Sequence, residues 1–143
     1  MQMGDYTQHK ILIVDDDELN LEIMEEILSD YYELIQAQNG RQALEQFRKH
    51  NPALILLDIM MPEMNGYEAC RQIKIESTEI HPGPHVIMVS AKASTDERLK
   101  GYEYGADDYV IKPFDEEELL AKVAVHIRQY EETLDCSSGN KHS

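Results

Sequence analysis

The chain has 143 residues, 42% of them hydrophobic, and a formal net charge of −15. That length suits one domain with a core of its own, and the acidity excludes nucleic acid phosphates as a natural ligand of this domain. No apolar stretch approaches a membrane span and the first residues are polar, so a cytoplasmic address without membrane contact is the expectation.

Lys10-Ile11-Leu12-Ile13-Val14 is a continuous, β-branched apolar run, the pattern of a strand buried on both faces. Leu19, Ile23, Met24, Ile27 and Leu28 follow at helical spacing. Residues 32–37 read as a second strand, Asn39-Gly40 as turn chemistry, and Ala43, Leu44 and Phe47 as a second helical face. Ala53-Leu54-Ile55-Leu56-Leu57 predicts a third buried strand, and Tyr67, Cys70, Arg71 and Lys74 lie in the helix after it. His81-Pro82-Gly83-Pro84 breaks the chain before a fourth strand over residues 86–89. Residues 95–104 predict a short helix closed by Gly105, and residues 108–111 a fifth strand. Asp115 and Glu118 then form an N-cap pair for a helix carrying Leu119, Leu120, Val123 and Ile127.

Five such β/α units predict an α/β fold, a doubly wound parallel sheet with helices on both faces. Residues 1–9 read as a polar N-terminal tail, 10–130 as the domain, and 131–143 as a flexible tail or the start of a linker. Cys70 and Cys136 have no metal-ligand spacing, and the six histidines form no sequence cluster; both sets read as structural or incidental.

Ligands of an open parallel sheet bind beyond the carboxyl ends of its strands. Strand one ends in Asp15-Asp16-Asp17, strand three in Asp58, strand four in Ser90-Ala91 and strand five in Lys112-Pro113. Crowded carboxylates repel one another, and a hard cation resolves the conflict; oxygen-only ligands suit Mg²⁺. Asp15, Asp16 and Asp58 fit that description. Lys112 and Ser90 would supply a cation and a hydroxyl donor to a phosphoryl group beside the metal. Asp58, directly after a buried strand, is the candidate nucleophile. Asp17 and Glu18 read as a solvated helix start, and Met60, Met61 and Met64 as packing and loop shape.

The ordered set Val14-Asp15-Asp16-Asp17, Leu57-Asp58-Ile59-Met60-Met61-Pro62-Glu63-Met64-Asn65-Gly66, Val89-Ser90-Ala91 and Gly105-Ala106-Asp107-Asp108-Tyr109-Val110-Ile111-Lys112-Pro113-Phe114 resembles the receiver domain of two-component response regulators, of the chemotaxis-regulator-like kind. The resemblance covers about residues 10–130. It implies a flavodoxin-like sheet of order 2-1-3-4-5 with five helices. It also implies a phosphorelay switch in which Asp58 accepts a phosphoryl group from a histidine kinase or a histidine phosphotransfer protein. On the same ground Asp15, Asp16, Asp58 and the Met60 backbone carbonyl would hold Mg²⁺, Lys112 would ion-pair with the phosphoryl group, and Ser90 would be the switch hydroxyl. Tyr109 is either the aromatic switch residue or a plain core side chain. Lys112-Pro113 is a candidate cis peptide, and Lys92 could tune phosphoryl lifetime or be an ordinary surface lysine. The family's habit of phosphorylation-dependent dimerisation through the fourth and fifth helices carries over as an expectation. So does the absence of enzyme activity beyond self-catalysed phosphoryl acceptance and slow autodephosphorylation.

Three other functions fit less well. An aspartate-nucleophile phosphatase wants an acid two residues after the nucleophile, where Met60 stands. A flavin site or a P-loop wants a phosphate-cradling loop after strand one, where three acids stand. A degenerate receiver would have lost some of the chemical positions, and all are filled.

Overall fold

In the computed structural model, which describes residues 9–61, 64–91 and 94–139, with side chains through Leu134, the apolar runs form one parallel sheet. Strands β1 (Lys10–Val14), β2 (Glu33–Ala37), β3 (Leu54–Leu57), β4 (His85–Ser90) and β5 (Asp108–Ile111) take the order β2-β1-β3-β4-β5. Helices α1 (Glu18–Leu28), α2 (Gly40–His50), α3 (Gly66–Glu76), α4 (Thr95–Glu103) and α5 (Glu116–Gly139) make the connections, with a 3-10 turn, Ser77–Glu79, after α3.

Side chains alternate across a strand, so each apolar run feeds two cores. Ile11, Ile13, Leu54 and Leu56 face one way and meet Leu21, Met24 and Leu28 of α1 and Leu119, Val123 and Ile127 of α5. Leu12, Val14, Ile55 and Leu57 face the other way and meet Ala43, Leu44 and Phe47 of α2 with Tyr67, Cys70 and Ile73 of α3. Burial on both faces explains why these strands read as unbroken apolar runs. The Cys70 thiol is pushed up to about 12 by burial, which makes it an inert packing group.

Each helix starts on a polar cap. Asp17, Asn39, Asn65, Ser94 and Asp115 accept from the backbone N–H of Leu19, Gln42, Glu68, Glu97 and Glu118. This corrects the reading of Asn39-Gly40 as turn chemistry: Asn39 caps α2, and Gly40 is its first residue. Gly40 is required there because a Cβ would come within 2.8 Å of Met64. Gly105 ends the α4 segment with φ 107°.

The last helix departs from expectation at its far end. It continues past Tyr130 to Gly139. Glu131 is held by His9 at 2.6 Å, and Thr133 Oγ1 donates to the Gln129 carbonyl, so the segment after residue 130 begins as helix. Among the described residues no helix is long and apolar enough to cross a membrane. Lys92, Pro62, Glu63 and most of the N-terminal tail lie outside the described residues, as does the side chain of Cys136.

Candidate functional site

The sheet's hydrogen-bond ladder runs past the strand ends and fixes the residues that follow. Asp15 N–H donates to Ala37 O at 3.1 Å, Asp58 N–H to Val14 O at 3.0 Å, and Lys112 N–H to Ser90 O at 2.8 Å. Three side chains distant in sequence therefore leave one sheet edge from backbone already in register. Asp15, Asp16 and Asp58 each present a carboxylate oxygen, and these atoms lie within 4.8 Å of one another. Asp15 and Asp58 are buried, at 1% and 5% exposure, while Asp16 is exposed.

Lys112 bridges the two buried acids. Its Nζ lies 2.7 Å from Asp15 Oδ2 and 3.6 Å from Asp58 Oδ1. Asp15 also accepts the Asp17 N–H at 2.9 Å, and Asp58 accepts the N–H of Met60. One lysine does not balance the acids. Burial, then the neighbouring Asp15 charge, pushes Asp58 up to about 6, against the pull of Lys112 and the Met60 N–H. The arrangement suits a divalent cation: the donors are all hard oxygens, they converge, and Lys112 relieves their repulsion only in part.

Ser90 is fully buried at the end of β4 and hydrogen-bonds to the Tyr109 side chain. Tyr109 is itself buried, and burial raises its hydroxyl pKa despite that bond. The Lys112–Pro113 peptide is cis. Met60 is exposed rather than packed, because its backbone is the part turned to the site. Met61 and Met64 do pack against the core. Gly66 sits so close beneath the Asp58 loop that a Cβ would come 2.2 Å from the Asp58 carbonyl oxygen, and its N–H donates to Ile59 O at 2.8 Å.

The model of the response regulator receiver domain matches residues 11–124. The chain belongs to the response regulator receiver family. This receiver is 42% identical over 123 residues to a probable transcriptional regulator, ycf27, of Pyropia yezoensis, covering 85% of this chain and 49% of that protein. It is 40% identical over 121 residues to the response regulator ArlR of Staphylococcus saprophyticus, covering 84% and 53%. The chain thus spans about half the length of these relatives. Among solved structures, it is similar to the BeF3-activated receiver domain of DrrB from Thermotoga maritima, with 37% identity, TM-score 0.75, and 84% and 97% of the two chains covered. A CheY-like receiver from Methanospirillum hungatei gives 31% identity and TM-score 0.77 over 87% and 97%.

Two polar clusters of this receiver escaped the sequence reading. Tyr67 Oη reaches Glu97 across 30 positions of chain. His85 and His126, which had looked unrelated, meet at 2.9 Å, and His126 continues to Asp108 at 3.0 Å. No spacing rule joins such residues; only the packing of α3 on α4 and of α5 on β4 does.

Proposed function

We propose that this receiver is a phosphorelay switch in which Asp58 accepts a phosphoryl group from a phosphohistidine donor, with Mg²⁺ held by Asp15, Asp16, Asp58 and the Met60 carbonyl. The convergence of three carboxylates with Lys112 at one sheet edge carries this reading. When bound, Mg²⁺ neutralises charge on the acids and on the phosphoryl oxygens. An Asp58 oxygen forms its bond to phosphorus as the donor's phosphorus–nitrogen bond breaks, and the electron pair leaves on the imidazole nitrogen. Lys112 Nζ, already 3.6 Å from Asp58 Oδ1, follows the new negative charge and gives up part of its pairing with Asp15. Ser90 then offers its hydroxyl to a phosphoryl oxygen, leaving Tyr109.

The donor is a histidine kinase or histidine phosphotransfer protein. Exposed Ile23 of α1 lines a groove of about 300 Å³ together with Asn20, Ala91, Lys112, Pro113 and Phe114. Because Lys112 lines both groove and site, an apolar helix of the donor seated there would bring its phosphohistidine to Asp58. Catalysis by the chain is limited to accepting the group and slowly losing it, in the cytoplasm. Lys92, two residues beyond Ser90, reads as an ordinary surface lysine unless its replacement changes the lifetime of the phosphoryl group. The relatives' names support an output in transcription, carried by parts other than this acidic domain.

A small-molecule phosphodonor with Mg²⁺ should add one phosphoryl group, visible by intact mass. Labelling that persists in Asp58→Asn, or proceeds unchanged in EDTA, would sink the assignment.

A further inference from the structure

Helix α4 has little apolar hold on the domain. Of its nine residues only Gly101 is buried, and Leu99 and Tyr102 point to solvent. A segment with so few buried apolar contacts belongs to the low-stability end of a fold. A side-chain tie to the rest of the domain comes from Tyr67, the second residue of α3. The Tyr67 hydroxyl lies 2.8 Å from the Glu97 carboxylate and 3.2 Å from the Glu97 carbonyl, while Lys100 Nζ stands 4.6 Å over the ring. Tyr67 is 4% exposed, so its hydroxyl has no ready exchange of Glu97 for bulk water.

The other end of this tie is the acceptor loop. Gly66, the residue before Tyr67, is pinned against the Asp58 carbonyl and the Ile59 backbone. A movement of the Asp58 loop is thus passed through one residue to a side chain that grips α4. This route starts at the Asp58 loop and runs beside the one through Ser90 and Tyr109, which reaches α4 at Gly101 and also feels the charge of Glu97.

We propose that Tyr67 is a positioning residue, a latch that holds α4 in its phosphoryl-free place through Glu97 and must release for the helix to move. The proposal rests on the acceptor-site reading above. Removing the latch favours the moved state, so a ligand selective for that state binds tighter by the same factor.

The test is calorimetric titration of the whole chain with beryllofluoride and Mg²⁺. Tyr67→Phe keeps the ring and loses the hydroxyl; it should bind about 3- to 10-fold tighter, the worth of one buried hydrogen bond. Amide exchange over residues 95–103 should quicken without beryllofluoride. In a Glu97→Ala background, Tyr67→Phe should tighten binding less than it does in the wild type, because much of the tie it breaks is already gone. Unchanged or weaker binding by Tyr67→Phe, when wild type binds, overturns the latch alone. Failure of the wild type to bind overturns the acceptor-site reading and the latch with it.

Discussion

Asp58 is held in a conflict between its chemistry and its fold. A buried carboxylate with a second acid beside it gains proton affinity, and about 6 lies well above the ordinary 3.8. Without metal, the ionised form costs the folded state on the order of 3 kcal/mol at neutral pH. Asp58→Asn should therefore raise the metal-free melting temperature by roughly 10 °C, and the gain should shrink when Mg²⁺ is present. A lower melting temperature for the variant would show that the carboxylate's bonds to Lys112 and the Met60 N–H outweigh the repulsion. The sign with pH follows: a raised carboxyl contributes stability that is complete below about 3.8 and is lost as pH rises through about 6. At this scale the sequence was highly legible. Asp15, Asp58, Ser90 and Lys112 each stand one step past an apolar run, Asp16 stands two, and a strand end is visible in one dimension. The partners they choose were not visible, because whether Lys112 sits nearer Asp15 or Asp58 is a matter of tenths of an ångström.

At the scale of elements, α5 is tied to the sheet by a polar chain as well as by Leu119, Val123 and Ile127. His126 Nε2 donates to the Asp108 carboxylate, which leaves its Nδ1 as acceptor for the Nδ1–H of His85. Burial opposes the Asp108 charge, but His126, the Tyr109 N–H and Lys122 together hold its carboxyl below the usual range. Two nitrogens 2.9 Å apart share one proton well and two badly. Burial, joined by His126 and Lys74 and opposed by Asp107, holds His85 below the ordinary 6.5. A depressed histidine contributes stability that is present above about 6.5 and lost as pH falls through its folded value. Asp58 titrates nearby with the opposite sign, so the Asp58→Asn background separates them. In that background melting temperature should fall between about pH 7.5 and 5.5, with faster amide exchange in α5. Adding His85→Gln, which still donates to His126, should flatten the fall; an equal fall would place the sensitivity elsewhere. The helices themselves were legible from apolar spacing, with the Asp115 cap marking the start of α5, but α5 ran past its expected end. Its tail is mostly polar, and polarity marks exposure without marking loss of helix.

For the whole molecule, the two cores and the surface charge set opposing terms. Leu56 is fully buried in the layer under α1 and α5, and Leu56→Ala should cost about 2–5 kcal/mol in urea unfolding. A loss below about 1 kcal/mol would mean the layer closes over the gap. A net charge of −15 on one domain repels itself, and salt screens it. Raising sodium chloride from about 20 mM to about 500 mM should raise the melting temperature. A fall would show that local pairs such as Arg48–Glu76 and Lys74–Asp107 govern instead.

By itself the sequence determined a parallel sheet alternating with helices and the edge at which the acids gather, while the strand order came with the family resemblance. Strand burial on two faces and crossover handedness leave few ways to fold five such units, and motifs at strand ends inherit their place from the strands. Only the tertiary structure decided how the site is wired to the rest. It set Gly66 against the Asp58 carbonyl, Tyr67 on Glu97, and His85 on His126. These contacts depend on how one helix leans on another, and a difference smaller than one side chain makes or breaks them.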